Sequence, residues 1–198
     1  RCTCPKPGGK VDCAVSGGAD SVALLVLAVA SGCEATAWHV DHHLRPDGAR
    51  EAALVQALTE RLGCGFELRH VTVDGSANVE ARARDARFAV LPHGVMTGHT
   101  ADDQAETMLV NFIRGAGSRG LAAMAPSTSK PILPLRRSET HALCSALGLE
   151  VVIDPTNDSP AFQRNRIRNE VMPLLADIAA RDVVAVLTRQ ADLLRDDD

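Results

Sequence analysis

Short apolar segments alternate with longer amphipathic segments along most of the chain. The short segments are bounded by turn-forming residues and predict five strands, at residues 11–15, 36–40, 66–73, 95–98 and 151–153. The longer segments carry an apolar residue every three or four positions and predict helices, at residues 20–30, 48–62, 78–91, 101–114, 139–147 and 166–195, the last interrupted near Pro173. This alternation predicts an α/β protein with a Rossmann-like parallel sheet, helices on both faces and a C-terminal helical extension.

Two parts of unequal length follow from the same pattern. We predict a main domain over residues 1–158, and over residues 159–198 a helical extension or the start of a linker to further domains. In the main domain, polar motifs follow the predicted strand ends at residues 16–21, 39–45 and 99–106. Ligands of parallel α/β sheets bind beyond the carboxyl ends of the strands, so we expect these motifs to meet in one cleft.

Composition narrows the classes of protein. The net charge is -4 and aromatic residues make up only 3%, which argues against RNA binding by stacked rings and leaves only a local basic patch for such contacts. The longest apolar stretch, residues 22–30, is too short to span a bilayer. The six cysteines lack C-x-x-C spacing. We therefore expect a cytoplasmic protein with free thiols and no membrane contact.

The segment S-G-G-A-D-S at residues 16–21 carries the strongest chemical signal. Its two glycines allow the backbone to approach an anion, and the helix that follows points its free N–H groups and positive dipole end at the same place. The serine hydroxyls add donors, while the aspartate would support a metal ion or cap the helix. The segment matches neither the Walker A loop nor the dinucleotide fingerprint. The alternative is an ordinary strand-to-helix turn capped by serine and aspartate.

This segment resembles the PP-loop of N-type ATP pyrophosphatases, which cleave ATP to AMP and pyrophosphate while adenylating an oxygen atom of their substrate. Four further motifs follow in order, at residues 39–45 (HVDHHLR), 98–107 (GHTADDQAET), 114–121 (RGAGSRGL) and 154–168 (DPTND followed by RNRIR). Together the five motifs resemble the tRNA(Ile)-lysidine synthetase family over residues 11–173. Each motif is weakly specific by itself, but the ordered set is highly specific.

The resemblance implies a substrate and a reaction. Members of that family adenylate the C2 oxygen of the wobble cytidine in a tRNA(Ile) with a CAU anticodon, and the amine of L-lysine then displaces AMP to give lysidine. The implied cofactors are ATP and Mg²⁺, and the implied partners are tRNA(Ile) and L-lysine. A homodimer is plausible for such a fold.

Site residues are carried over where this sequence matches the family motifs. ATP binding is expected of Ser16, Gly17, Gly18, Ala19, Asp20, Ser21 and His39. Catalysis is expected of Asp41, His99, Asp103, Arg84 and Arg87. Mg²⁺ or the lysine ammonium group is expected at Asp41, Asp102 and Asp103. Helix capping explains Asp102 and Asp103 equally well, and a surface ion pair with Glu80 is the alternative for Arg84.

Four arginines are candidates for tRNA contact: Arg114, Arg164, Arg166 and Arg168. The last three lie in the most basic local stretch, and guanidinium groups suit phosphate recognition. A solvated helix start or an internal polar network is the alternative for these three. For Arg114 the alternative is a helix C-terminus that ends in a glycine cap.

Other functions remain compatible with the loop. One alternative is a tRNA thiolation enzyme of the same class. Members that resemble the two-thiocytidine type normally use paired C-x-x-C cysteines for an iron–sulfur cluster, and this sequence has no C-x-x-C. A GMP-synthetase-like enzyme would need a glutaminase domain or partner. A nucleotide-binding module of the same fold would bind ATP without releasing pyrophosphate.

Overall fold

A parallel sheet of three strands forms the centre of the protein. The computed structural model describes residues 2–41, 48–72 and 79–196, and the side chains of residues 79–81, 83, 84 and 158 lie outside that description. The strands are β1 (Lys10–Ala14), β2 (Glu34–Asp41) and β3 (Gly65–His70), and β2 lies between the other two. Their register pairs Cys13 with Ala37 and Ala37 with Phe66.

Helices connect and follow the strands. Along residues 19–146 they are α1 (Ala19–Ala30), α2 (Gly48–Leu62), α3 (Val79–Val90), α4 (Ala101–Ile113), α5 (Ser118–Leu121) and α6 (Arg137–Ala146). A 3-10 turn (Pro155–Asp158) leads to α7 (Gln163–Arg166), a π-helical turn (Ile167–Val171), α8 (Met172–Ala179) and α9 (Val183–Asp196). None of the helices within the described ranges is long and apolar enough to cross a membrane.

The core lies between one face of the sheet and the helices packed on it. Side chains alternate along a strand, so Val11 and Cys13 of β1 and Ala35 and Ala37 of β2 point to the same face. These residues pack with α1, whose side chains are apolar nearly all round, and with Val55 and Leu58 of α2. The predicted α/β class, a Rossmann-like parallel sheet with helices and a helical C-terminal part, is confirmed.

Two predicted strands are not strands among the described residues. In the segment 95–98, only Met96 forms a parallel bridge with Cys13, on the edge of β1 away from β2. In the segment 151–153, the Val152 N–H donates to the Gly17 carbonyl oxygen at 2.9 Å. Met96 and Val151 pack on the core, whereas Ile153 is exposed, and apolar runs of this length do not by themselves give a sheet ladder.

The C-terminal helices dock on α4. Ala101 and Ala105 of α4 form a small apolar cluster with Val184 of α9 and with Met172 and Leu187. The helix passes through Pro173 because proline lies in the first turn of α8, where its missing N–H has little cost. The interruption predicted near Pro173 corresponds to the π-helical turn before α8. The helix itself ends at Ala179, and the next residue, Ala180, has a positive φ of 47°. The division at residue 158 stays a prediction.

Candidate functional site

The loop between β1 and α1 is closed by its own hydroxyl groups. The Ser16 N–H donates to Ser21 Oγ at 3.2 Å, and the Ser21 hydroxyl donates to the Gly18 carbonyl oxygen at 2.8 Å. Ser21 is buried, whereas Ser16 is exposed at the tip of the loop. Among the described residues, no side chain caps the N-terminus of α1. The first-turn N–H groups and the Ser16 hydroxyl can therefore bind an anion, as the sequence predicts for ATP phosphate.

Two glycines let other segments approach this loop closely. Gly17 has a φ of 91°, which favours glycine, and a Cβ there would lie 2.6 Å from Val152 Cγ2. A Cβ on Gly98 would lie 2.8 Å from the Asp20 carbonyl carbon and 2.9 Å from the Ser21 nitrogen. The backbone at Gly98 is thus packed directly on the loop. Gly98 is the first residue of the motif at residues 98–107, and only this tertiary contact reveals a role for it.

Both predicted histidines have a hydrogen-bond partner close to their Nδ1 atom. His39 is buried, and its Nδ1 lies 2.8 Å from the Val15 carbonyl oxygen, so the proton of this hydrogen bond is on Nδ1. His39 therefore supports the residue that precedes the loop. His99 Nδ1 lies 2.7 Å from the Thr97 hydroxyl oxygen. The roles of His39 in ATP binding and of His99 in catalysis stay predictions.

A row of carboxylates in the first two turns of α4 faces a cluster of arginines. Asp102, Asp103 and Glu106 lie at i, i+1 and i+4, and the capping box of Thr100 and Asp103 begins the helix. The arginines come from two other parts of the chain: Arg136 and Arg137 at the start of α6, and Arg164 and Arg168 at α7 and the π-helical turn. The row therefore ties the main domain to the C-terminal helices.

Asp102 and Asp103 have their carboxylate oxygens engaged by this cluster. Asp102 accepts hydrogen bonds from Arg136 Nε at 3.1 Å and from the Arg137 N–H at 2.8 Å. Burial raises the pKa of Asp102, but the hydrogen bonds from Arg136 and Arg137 outweigh burial and lower the pKa. Asp103 accepts from Thr100 on one oxygen and from Arg137 and Arg164 on the other.

This arrangement does not fit the predicted Mg²⁺ site at Asp102 and Asp103. A bound Mg²⁺ needs free carboxylate oxygens at close range, and here the described donors on those oxygens are arginine, threonine and backbone groups. Within residues 2–41, 48–72 and 79–196, no three His, Cys, Asp or Glu side chains are grouped as metal ligands. Both carboxylates therefore belong to an ion cluster in this structure, and a metal-binding role for them has no support in its geometry.

Glu106 lies at the centre of the cluster and was not among the predicted site residues. Its side chain is only 2% exposed and accepts from Arg137 Nη1 at 3.0 Å, Arg164 Nε at 2.8 Å and Arg168 Nε at 2.7 Å. Burial raises the pKa of Glu106, but the hydrogen bond from Arg168 and the charges of Arg137 and Arg168 outweigh burial and lower the pKa to about 2. The signal in the sequence was its i+3 spacing from Asp103, which puts both on one helix face.

Arg136 and Arg137 were also missed, although the sequence holds a hint of their role. Two adjacent arginines at the start of a helix oppose the helix dipole, so they need acidic partners from elsewhere. Arg136 donates to Asp102 and to Asp182, which precedes α9. The sequence thus predicts that these arginines have acidic partners, but it does not predict which acidic residues those are.

Asp20 of the loop is held by α6. The Thr140 hydroxyl donates to Asp20 Oδ1, and Arg137 Nε lies 3.6 Å from Asp20 Oδ2. Burial is the main effect on Asp20 and raises its pKa, against the opposing hydrogen bond from Thr140. The predicted alternatives for Asp20 were metal support and helix capping, and the structure adds a third role as the contact between the loop and α6.

The four arginines predicted to contact tRNA lie in different surroundings. Arg164 and Arg168 point inward to Glu106, whereas Arg166, on the opposite face of the same helical run, pairs with Glu170 in solvent. Arg114 is the exposed C-cap of α4, about 16 Å along the helix from Asp103. The internal network left open for this basic stretch is formed by two of its arginines, and tRNA contact stays a prediction.

The remaining predicted residues are Asp41, Arg84 and Arg87. Asp41 ends β2 with a side chain 13% exposed, and its Oδ2 lies 3.7 Å from His70 Nδ1. A Cβ on Gly48, the first residue of α2, would lie 2.6 Å from Asp41 Oδ1. The Arg87 guanidinium lies 5.4 Å from the Phe88 ring centroid. The side chain of Arg84 is outside the described residues. The catalytic roles of these residues stay predictions.

The low pKa of Glu106 predicts a loss of stability in acid. The carboxylate binds a proton more weakly in the folded than in the unfolded chain, so protonation favours unfolding. Its contribution, on the order of 3 kcal/mol, is complete above about pH 5 and is lost as the pH falls through 4.5 towards 2. Urea unfolding between pH 6 and pH 3 measures it. A Glu106→Gln variant should lack this acid-dependent part, and an equal loss in both proteins would contradict the assignment.

The comparisons with known proteins agree with this geometry. The chain belongs to the PP-loop domain family, whose family model matches residues 2–175. It is 42% identical over 200 residues to the tRNA(Ile)-lysidine synthase of Rhodococcus opacus (strain B4), covering 96% of this chain and 62% of that protein. It is 44% identical over 192 residues to the tRNA(Ile)-lysidine synthase of Mycolicibacterium paratuberculosis (strain ATCC BAA-968 / K-10), covering 93% and 60%. The chain thus spans about three fifths of the length of these curated relatives.

A solved structure shares the fold at low identity. The U34-tRNA thiolase NcsA from Methanococcus maripaludis, with its [4Fe-4S] cluster, superposes with a TM-score of 0.71 at 17% identity. The match covers 96% of this chain and 73% of that one. At this identity the likeness shows the fold alone.

Proposed function

We propose that this chain catalyses the ATP-dependent ligation of L-lysine to the wobble cytidine of tRNA(Ile) with a CAU anticodon, giving lysidine, AMP and pyrophosphate. The observation that carries the proposal is the uncapped, glycine-containing loop of a PP-loop domain in a chain that is 42% identical to curated tRNA(Ile)-lysidine synthases. The activity and substrates of those longer relatives come to this chain as part of the proposal.

The loop supplies the binding of the nucleotide. N–H groups of Gly18, Ala19 and Asp20 lie where the dipole of α1 is positive, and the exposed Ser16 hydroxyl adds a donor. Adenylation puts negative charge on the α-phosphate and on the leaving pyrophosphate, and fixed donors of this kind stabilise that charge. MgATP is the form of the nucleotide supplied to the reaction.

A cavity beside the carboxylate row supports lysine as the second substrate. Its volume is about 300 Å³, and its wall combines the charged groups of Asp102, Arg136, Arg168 and Asp182 with apolar side chains. Lysine would place its carboxylate against an arginine and its methylene groups against the apolar wall. A homodimer remains an additional prediction.

The test is pyrophosphate release from ATP and Mg²⁺ by the chain with a tRNA(Ile) transcript that carries CAU, with and without lysine. We expect release that depends on the transcript, followed by incorporation of labelled lysine. The same transcript with uridine at the wobble position is the RNA control. Ser16→Ala should slow release about tenfold, because one donor to a charged group is lost, whereas Ser31→Ala at the far end of α1 should not.

Each other outcome selects a different function. Release that requires another acceptor would refute the substrate and favour a different PP-loop enzyme, such as a thiolation or GMP-synthetase-like one. ATP binding without release under every condition would refute catalysis and favour a nucleotide-binding module. A longer relative assayed in parallel shows that the transcript and lysine preparation are competent.

A further inference from the structure

We propose that Arg137 is a positioning residue for the ATP-dependent reaction, because it holds the Asp20 carboxylate of the loop against the first turns of α4. Its guanidinium contacts three carboxylates at once: Nε lies 3.6 Å from Asp20 Oδ2, Nη2 lies 3.2 Å from Asp103 Oδ1, and Nη1 lies 3.0 Å from Glu106 Oε1. The inference rests on the proposed function and assigns a role to a residue outside the loop.

The loop side of this contact has two tethers, and both come from α6. Besides Arg137, the Thr140 hydroxyl donates to the other oxygen of the Asp20 carboxylate. Thr140 is fully buried and lies three residues after Arg137, on the same face of α6. The backbone of Asp20 is at the same time packed on Gly98. The position of Asp20, and of the N–H groups beside it, therefore depends on α6.

Arg137 also contacts α4, so it links the loop to a larger ion cluster. Asp103 and Glu106 also form ion pairs with Arg164, and Glu106 forms a further ion pair with Arg168. Without Arg137, three carboxylates converge on one place with fewer cations between them, and their repulsion would push Asp20 outward. Arg137 also lies in the first turn of α6, where the dipole disfavours a cation. Its contribution is to the arrangement of the site and not to the stability of its own helix.

Steady-state kinetics of pyrophosphate release tests this role. Arg137→Gln is expected to lower kcat about 10- to 100-fold with a change in the KM for ATP of less than about threefold, because the loss concerns orientation in the transition state. Arg137→Lys should recover part of the rate, since an ammonium can face these carboxylates but cannot reach all three. The matched control is Arg61→Gln, which removes one exposed hydrogen bond, to the Leu147 carbonyl oxygen. An unchanged kcat in Arg137→Gln would overturn the inference.

A double-mutant cycle separates positioning from direct contact with a substrate. If Arg137 acts through Asp20, Arg137→Gln should have little further effect in an Asp20→Asn background. Thr140→Val removes the second tether and leaves Arg137 in place, so it should also lower kcat. Additive effects of Arg137→Gln and Asp20→Asn, or a Thr140→Val protein with wild-type kinetics, would overturn the inference.

Hydrogen exchange supplies a readout that does not depend on activity. Arg137→Gln and Thr140→Val are each expected to speed amide exchange at residues 17–21 and to leave exchange in α2 unchanged. If the wild-type chain releases no pyrophosphate, the proposed function fails, and the exchange data alone decide the positioning role. Unchanged exchange at residues 17–21 in both variants would contradict that role.

Discussion

Gly98→Ala is expected to lower pyrophosphate release at least about 100-fold, because displacing a catalytic loop by roughly 1 Å has an effect of this size. The added Cβ would lie 2.8 Å from the Asp20 carbonyl carbon and oxygen and 2.9 Å from the Ser21 nitrogen. These are backbone atoms at the start of α1, so no flexible side chain can move aside. The whole turn that we propose to bind ATP must shift instead.

The same substitution should reduce stability only moderately. Overpacking of this kind costs about 1–3 kcal/mol, which leaves most molecules folded under assay conditions. ATP affinity, kcat and urea unfolding should be measured together. Gly94→Ala is the matched control, because Gly94 belongs to the same segment and a Cβ there meets no atom within 4 Å. Its positive φ makes that control slightly unstable, by about 1 kcal/mol, but should leave kcat unchanged. Equal kinetics for the two variants would contradict the close-approach argument.

Glu106→Gln is expected to destabilise the protein by about 3–5 kcal/mol, because it removes the buried carboxylate that three arginines of the ion cluster share. Three arginines donate to this carboxylate, and its side chain is 2% exposed. A neutral amide has the same shape but cannot balance the guanidinium charges, and its N–H₂ group would face donors instead of acceptors. The docking of α7 and the π-helical turn on α4 should loosen with it.

Urea unfolding at pH 7 measures this effect. The control is Glu60→Gln on α2, an exposed site where the change should stay within about 0.5 kcal/mol. Because Arg164 and Arg168 come from the C-terminal helices, amide exchange in α8 should also increase in Glu106→Gln. A variant as stable as wild type would mean that the arginines find other partners and that the cluster contributes little.

Local pattern was sufficient for most of the helices. The bounds of α2 agree with its predicted range, since Gly63 ends an amphipathic segment with a positive φ of 66°. The start of α4 follows from Thr100 and Asp103, which form a capping box. The extra strands at residues 95–98 and 151–153 were wrong. Met96 forms one bridge with Cys13, but the Thr97 N–H already donates to the Ser129 carbonyl oxygen, and the Val152 N–H donates to Gly17 in the loop. A single-sequence pattern does not show which neighbours a segment meets.

The site was predictable where its functional groups come from residues that are neighbours in the chain. The loop between β1 and α1 needs glycines followed directly by the N-terminus of a helix, and the residues at 16–21 indicate both. The roles of Asp102 and Asp103 could not be decided in this way. As free carboxylates they would suit a cation, but Arg136, Arg137 and Arg164 occupy their oxygens from 34 to 61 residues away in the chain.

The sequence by itself determined the class of this protein: an α/β sheet, a glycine-containing loop after its first strand, and membership of the PP-loop domain family. Those features follow from residues that are neighbours in the chain and act through local backbone geometry. Only the tertiary structure decided which charges meet, that Glu106 is buried among three arginines and that Arg137 reaches Asp20. Ion pairs depend on distances between distant segments, and charge alone does not select among many possible partners.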